Sequence, residues 1–235
     1  MQIQAAMEYN DGGVLLYALE LPGAYGRGKT LEQAREKFGA EARSWFHWAE
    51  GKILPAEETV QVEITEKKES ILQVCDADSD MIFASERTPF TPREYERLKM
   101  LAISSAAGFE KLYDSIPEKG RLLRPARETF YGSVPCTARE MYCHTNGVTA
   151  YYFREVGVEA ENLPQIFEGR LAGLEQMEQN SDFMENPVFL GSFGEEWSAK
   201  KMLRRFIWHD RIHAKAMYRR ARAIWGERIE NPFFF

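Results

Sequence analysis

The stretch EEWSAKKMLRRFIWHDRIHAKAMYRRAR, residues 195–222, has the apolar periodicity of a long amphipathic helix and carries two histidines one helical turn apart. Residues at positions i and i+4 share a helix face, so His209 and His213 point the same way. On a helical wheel that face is also apolar, and it includes Met202, Phe206 and Met217. The sequence therefore predicts a final helix, from Ser198 as N-cap to about Trp225, that turns two imidazoles toward the protein interior.

A second stretch, CTAREMYCHTNGVTAYYFREVG at residues 136–157, predicts another helix with an inward histidine. Thr137 and Glu140 have the spacing of a capping box, which marks the first turn of a helix. His144 lies on the same side of the wheel as Met141 and Val148, so we expect its ring to point into the protein.

Two further helices complete the predicted C-terminal part. Thr91 followed by Pro92 has the form of an N-cap with proline at the first helical position, and that helix should run to about Ile116. Another helix is expected from near Leu163 to Gln179. Four helices joined by two long connections predict a four-helix bundle over residues 91–235.

The N-terminal part has the pattern of a small α/β unit over residues 1–70. IQAAMEY and VLLYALEL read as two strands of a hairpin around the turn at residues 11–13. A short third strand is expected at residues 24–27, a helix from about Leu31 to Glu50, and a last strand in TVQVEITE. Residues 71–90 are expected to be a linker, so the predicted fold class is an α+β two-domain chain.

Composition and charge restrict the function classes. The 235 residues are 44% hydrophobic and 28% charged, which suits a globular protein with a sizeable core. We find no apolar run of the roughly 20 residues that a membrane span needs and no secretory signal, and three cysteines without a CxxC pair favour the cytoplasm. Residues 1–90 carry 9 basic and 16 acidic side chains, a balance of −7, which argues against general nucleic-acid binding by that part.

The three inward histidines, His144, His209 and His213, have the chemistry of a metal site. Burying an imidazole is costly unless its nitrogens find partners, and one shared divalent ion would bind a nitrogen of each ring. Three protein ligands leave a coordination position open, as in catalytic zinc sites. Zinc and nickel are the ions we expect, although imidazole also suits copper and iron. The alternative is that these are core histidines satisfied by hydrogen bonds.

Residues from about 91 to 235 resemble the DinB/YfiT-like family of four-helix bundles, on the strength of the two stretches quoted above. The resemblance implies that His144, His209 and His213 bind a divalent metal. Some members of that family are similar to transferases and isomerases that use a low-molecular-weight thiol, which implies a thiol or another small molecule as substrate. Asp210 stands where the family often carries Glu, and we expect it on the surface or behind a ligand. No catalytic residue is identified.

The stretch DGGVLLYALELPGAYGRGKTLEQAREKF, residues 11–38, is similar to the HicB-like antitoxin fold. In place of the DNA-binding segment typical of such antitoxins, this chain continues into helices. An interaction or scaffold role for this part, with homodimerisation left open, is therefore the alternative to an enzyme, and an antitoxin-like regulator is a third interpretation.

The sequence also predicts positions for two glutamates and for the basic residues of the last helix. Glu140 and Glu155 lie near the face of His144, where they would either orient an imidazole or sit at the surface. The basic residues of the last helix are predicted on its solvated side, where nucleic-acid contact is the less favoured interpretation. These residues are Lys200, Arg204, Arg211, Lys215, Arg219 and Arg222.

Overall fold

The computed structural model describes residues 1–129 and 132–235. The chain divides into two compact units, Met1–Phe83 together with Phe233–Phe235, and Ala84–Pro232. The division falls inside the predicted linker, residues 71–90. The C-terminal Phe233–Phe235, which the sequence placed with the helices, belongs to the first unit. We call the two parts the N-terminal unit and the helical unit.

The N-terminal unit contains a mixed sheet with the strand order β3-β2-β1-β4. Its strands are β1 (Gln2–Asn10), β2 (Gly13–Ala18), β3 (Tyr25–Gly28) and β4 (Gln61–Glu69). β1 and β2 form the predicted antiparallel hairpin, and β4 lies parallel to β1 on its other side. The predicted order of strands and helix along this part of the chain is confirmed.

The helix α1 (Leu31–Glu50) follows β3 and has the bounds that the sequence predicts. The Thr30 hydroxyl accepts the Gln33 amide at its start, and Gly51 ends it in the left-handed conformation with a φ of 63°. A Cβ on Gly26 would lie 2.4 Å from the Ala34 carbonyl oxygen, so only glycine lets β3 approach α1 this closely.

Part of the predicted linker is core. Val74, Met81 and Phe83 are buried, and the Phe83 ring packs on Tyr17 of β2 with a centroid separation of 5.6 Å. All six residues of β2 are buried. A strand that is buried on both faces needs apolar residues packed against each face. Residues 74–83 contribute some of these apolar contacts, and the alternation of apolar and polar residues in the sequence did not predict them.

The helical unit is built on four α-helices among its described residues: α2 (Pro92–Ser115), α3 (Ala138–Glu155), α4 (Ile166–Glu178) and α5 (Ala199–Trp225). Packed pairs are α2 with α5, α5 with α3, α3 with α4, and α4 with α2. Two-residue strands pair as β5 (Glu128–Thr129) with β6 (Gly132–Ser133), and as β7 (Phe189–Leu190) with β8 (Glu196–Trp197). No helix in the described ranges combines the length and apolarity that a membrane crossing requires.

The starts of α2, α3 and α5 follow the predicted capping signals. Thr91 and Thr137 both form complete capping boxes, with Glu94 and Glu140 as the reciprocal partners. Ser198 caps α5 by accepting the Lys201 amide at 3.2 Å. These caps satisfy backbone donors that a helix end leaves open, and they fix where α3 and α5 begin.

The sequence predicted that the basic side of α5 is solvated along its whole length. The structure shows that part of this side is buried. Lys200, Arg204 and Arg211 are buried, whereas Arg219 and Arg222 are exposed. The Arg204 guanidinium pairs with the buried Glu86 carboxylate, and Lys200 reaches the Thr88 hydroxyl at 3.2 Å. For Lys200 and Arg204 the prediction failed because the wheel describes α5 alone, while residues 86–88 cover its first turns.

In the N-terminal unit, Glu8 of β1 is a fully buried carboxylate. The Ser79 hydroxyl donates to its Oε2 at 2.5 Å, and the Asp80 amide donates to its Oε1 at 3.4 Å. Burial raises the pKa of Glu8, and the neighbouring Asp80 carboxylate raises it further, against the lowering effect of the Ser79 hydrogen bond. The folded state therefore favours the protonated form of Glu8.

We predict that Glu8→Gln stabilises the protein at neutral pH and that the gain shrinks as the pH falls toward 4.5, the ordinary pKa of this carboxyl. When folding raises the pKa of a carboxyl, the free energy of unfolding decreases as the pH rises through the folded pKa. The amide side chain of the Glu8→Gln variant does not ionise, so the variant avoids this decrease while it keeps the hydrogen bond with Ser79. Urea unfolding at several pH values measures the difference. Glu63→Gln on the exposed side of β4 is the control, and an equal gain at all pH values would contradict the prediction.

Candidate metal centre

The three candidate histidines come from two helices that pack against each other. His209 and His213 lie one turn apart on α5, and His144 lies in the second turn of α3. α3 and α5 are in contact, so the side chain of His144 meets the pair across the helix interface. The sequence prediction that these three residues come together is confirmed in the structure.

The three rings form a compact triangle. Ring centroids are 5.1 Å apart for His144 and His209, 4.6 Å for His144 and His213, and 4.4 Å for His209 and His213. One nitrogen from each ring lies within 4.8 Å of the others. Three imidazole nitrogens in such proximity are a ligand set that can hold one divalent ion.

Burial across the triangle is graded. His209 is buried, His213 is half-buried and His144 is exposed. The expectation that His144 points into the protein interior is therefore wrong, although its ring faces the other two. A wheel gives a direction around one helix, whereas exposure depends on what packs beside that helix. The graded burial opens the candidate centre to solvent at α3.

Two of the rings favour the neutral form. Partial desolvation by the neighbouring groups lowers the pKa of His144 although part of the residue is exposed, and burial lowers the pKa of His209 well below the ordinary range of an imidazole. The other two histidines and the charges of Arg205 and Arg170 lower the pKa of His209 further. A neutral imidazole has a free lone pair and is the form that binds metal.

His209 also has a nitrogen whose surroundings leave it unsatisfied. Its Nδ1 is buried and makes no hydrogen bond to any part of the chain that the structure describes. An orphaned polar atom in a protein interior is costly unless a water or an ion meets it. An imidazole with an unsatisfied buried nitrogen, in a cluster of three histidines, fits a metal ligand better than it fits a core histidine satisfied by hydrogen bonds.

Asp210 lies neither on the surface nor behind a histidine ligand. It is fully buried and pairs with the buried Arg170 of α4 through two hydrogen bonds of 3.1 and 3.2 Å. The Ser105 hydroxyl of α2 donates to the same carboxylate at 2.6 Å. The residue next to His209 thus ties α5 to α2 and α4, which fixes the rotation of α5 about its own axis.

The two glutamates considered as supports for His144 are engaged elsewhere. Glu140 accepts the backbone amides of Cys136 and Thr137 at the start of α3. Glu155 accepts the amide and the hydroxyl of Ser192 at 2.5 and 2.6 Å. Glu140 therefore organises the backbone at the start of α3, and Glu155 at the end of α3 holds the segment around Ser192.

Sequence reasoning missed an aromatic and cationic group beside His209. The Tyr152 ring lies 6.1 Å from the His209 ring, and the Arg205 guanidinium lies over the rings of Tyr152, Trp197 and Trp208. Arg205 precedes His209 by four residues, so the same spacing that pairs His209 with His213 could have found it.

A surface depression of about 700 Å³ lies away from the histidines, between α2, α4 and the segment after α5. Its lining includes Glu110, Lys111, Asp114, Phe167 and Arg228. None of the three candidate histidines lines this depression. We therefore base the functional argument on the chemistry of the histidines and not on the volume of the depression.

Comparison of the chain with protein-family models, with curated proteins and with solved structures finds no match. The resemblances to the DinB/YfiT-like and HicB-like families accordingly stay predictions, and the candidate centre stands on its own geometry.

We predict that Asp210→Asn lowers the free energy of unfolding by about 3–5 kcal/mol, because it leaves the buried Arg170 guanidinium without its counter-charge. Urea unfolding of the metal-free protein measures the loss. The matched control is Glu227→Gln, which breaks the exposed pair with Arg222 and should leave the unfolding midpoint unchanged. Equal urea unfolding midpoints for the two variants would show that the buried pair of Arg170 and Asp210 does not stabilise the helical unit.

Proposed function

We propose that this protein binds one divalent metal ion, zinc or nickel, through His144, His209 and His213. The observation that carries the proposal is the convergence of three imidazoles from α3 and α5, with one nitrogen of each within 4.8 Å of the others. The buried His209 ring also has an Nδ1 without a hydrogen bond. Neutral rings at neutral pH support it as well, since no proton has to leave the imidazoles of His144 and His209 before they bind.

We further propose that the centre is catalytic. Three protein ligands leave a coordination position for an exogenous molecule, whereas structural zinc sites are closed by a fourth protein ligand. The exposed position of His144 gives small molecules access from the α3 side. Buried His209 and the buried Tyr152 ring beside it border the inner side, where they limit the entry of water.

The substrate that we propose for the open position is a low-molecular-weight thiol. A bound divalent ion supplies Lewis acidity that holds a coordinated thiol as its thiolate, which is the nucleophilic form. The chain contributes the three imidazoles that orient the site and the aromatic wall beside His209. Support for the thiol comes from the resemblance of residues 136–157 and 195–222 to the DinB/YfiT-like family.

We predict that protein purified without a histidine tag and reloaded with zinc binds about one ion per chain. His209→Ala and His144→Ala should each weaken binding by more than about 100-fold, because removing even a residue that supports a ligand typically costs roughly 10–100-fold. Calorimetric titration of metal into the metal-free protein measures both stoichiometry and affinity.

Cys143→Ser is the matched control for this titration. Cys143 is exposed, adjacent to His144 and outside the cluster of three ligand atoms, so its loss should leave the affinity unchanged. A wild-type protein that takes up neither zinc nor nickel would reject the metal centre. In that case the alternative function, a non-catalytic interaction protein or an antitoxin-like regulator acting through the N-terminal unit, takes its place.

The thiol proposal has its own measurement. In cobalt-substituted protein, a thiol that coordinates the ion should add a sulfur-to-cobalt charge-transfer band in the near ultraviolet and alter the visible spectrum. We expect β-mercaptopropionate to produce the band in the wild type and to produce none in the His209→Ala variant. Cobalt binding without any spectral response to thiols would retain the metal centre and reject the thiol as substrate.

A further inference from the structure

Positive charge is concentrated in two segments of the helical unit, residues 117–142 and 211–228. The two segments together hold 11 basic and 4 acidic side chains, a balance of +7, in a chain whose net charge is −6. All other residues together therefore carry a balance of −13. Charge asymmetry of this size within one chain indicates that the basic side meets an anionic partner.

The two segments lie side by side. The first runs from the end of α2 into the first turns of α3 and is tied across its own loop, since the Arg139 amide donates to the Lys119 carbonyl oxygen at 2.9 Å. The Arg121 guanidinium in that loop lies 5.3 Å from the centroid of the Trp225 ring, which belongs to the last turn of α5. Basic residues from the loop, from the start of α3 and from the end of α5 therefore share one surface.

Arg124 of the loop is fixed among other cations. Its Nε donates to the Pro135 carbonyl oxygen at 2.9 Å, which holds the half-buried side chain against the loop. Burial lowers the pKa of Arg124, and Cys136 raises it. The positive charges of Arg127 and Arg220 lower it further. The guanidiniums of Arg124 and Arg220, from the loop and from α5, are thus close enough to repel each other, and an anion between them would relieve that repulsion.

The charges of this surface are largely unpaired within the protein. Arg124, Arg139 and Arg220 form no ion pair with any residue in the described part of the chain. Arg121 has one long contact, 3.8 Å from the exposed Glu118 carboxylate, and an exposed pair of this kind is weak. Arg121, Arg139 and Arg220 are exposed and Arg124 is half-buried, so all four guanidiniums can reach a ligand. We call these four residues the arginine surface.

The chemistry of the arginine surface fits phosphate groups. A guanidinium matches two oxygens of a phosphate with two parallel hydrogen bonds, and it keeps its charge at physiological pH. A nucleic-acid backbone offers such groups in a row and needs no apolar pocket on the protein. Leu122, 67% exposed, is the only large apolar side chain in the described part of these two segments that is strongly exposed. A membrane surface or an amphipathic peptide would need a larger apolar area, so nucleic acid is the favoured partner.

We propose that the arginine surface binds nucleic acid through its phosphate backbone, without selecting a sequence. None of the four arginines is a candidate metal ligand, so the inference goes beyond the proposed function and does not depend on it. The helical wheel of α5 led to a different expectation for the basic residues of the last helix, since that wheel shows neither the arginines of the loop nor Arg139.

The test is the binding of the full chain to a labelled DNA duplex of about 20 base pairs, followed by fluorescence anisotropy at several salt concentrations. We expect the affinity to fall by about 100-fold between roughly 50 and 200 mM NaCl, because four neutralised phosphates give a slope of about −3.6 for log K against log salt. In Arg220→Gln the slope should shrink in magnitude by about 0.9, the share of one phosphate. Arg220→Lys keeps the charge and should keep the slope.

Arg154→Gln is the matched control. Arg154 is an exposed arginine of α3, at the opposite end of that helix from Arg139, and its loss should leave the slope unchanged. Urea unfolding checks that both glutamine variants are folded. Absence of binding by the wild type at about 50 mM NaCl overturns the proposal. Equal slopes for Arg220→Gln and Arg154→Gln overturn it as well.

Competition separates nucleic acid from other anionic partners. Poly-L-glutamate should displace the duplex poorly, since an extended peptide carries one charge per about 3.4 Å and duplex DNA one per about 1.7 Å. Displacement by polyglutamate at equal charge concentration assigns the surface to an acidic protein and overturns the proposal. Binding to phosphatidylserine vesicles that is as tight as binding to the duplex assigns the surface to a membrane and overturns it too.

Added zinc separates the arginine surface from the metal centre. Duplex binding that requires zinc and is lost in His209→Ala places the phosphate at the histidines and overturns the arginine surface. Duplex binding by a chain that takes up neither zinc nor nickel supports the arginine surface while it rejects the proposed function.

Discussion

The buried ion pair between Arg170 and Asp210 is the constraint on which the helical unit depends. Both side chains are fully excluded from solvent, and the guanidinium also lies 3.7 Å from the centroid of the Phe206 ring on α5. A buried ion pair adds little net stability, but a buried charge without its partner is strongly destabilising. Arrangements of the helices that separate Arg170 from Asp210 are therefore unfavourable. Because Asp210 follows His209, the direction in which α5 is anchored also determines the direction in which its histidines face.

The sequence predicted most of the secondary structure because the signals for it are local. The hairpin turn, the N-caps Thr30, Thr91, Thr137 and Ser198, and the periodicity of α5 each depend on residues that are neighbours along the chain. The three histidines were also found in this way, since a spacing of four residues and a shared apolar face are properties of single helices.

What the sequence did not predict depends on contacts between distant residues. Nothing near Asp210 indicates that Arg170, forty residues earlier, meets it in the interior. The burial of Lys200 and Arg204 results from residues 86–88, and the exposure of His144 results from the way α3 packs. Helical wheels treat each helix in isolation, so they locate a side chain around its own axis but cannot tell which faces are covered.

The division of the chain has a consequence for its connectivity. The helical unit is an insertion within the N-terminal unit, since the chain leaves that unit after Phe83 and re-enters it at Phe233. The returning residue is structural: Phe233 is fully buried, packs on Trp48, and its carbonyl oxygen accepts the Ser44 hydroxyl at 2.7 Å. A single proteolytic cut after Phe83 therefore separates residues 1–83 from Phe233–Phe235, which stay attached to the helical unit through Pro232. A recombinant fragment ending at Phe83 exposes part of its own core, so the inserted unit can be excised cleanly only by a splice that reconnects Phe83 to Phe233.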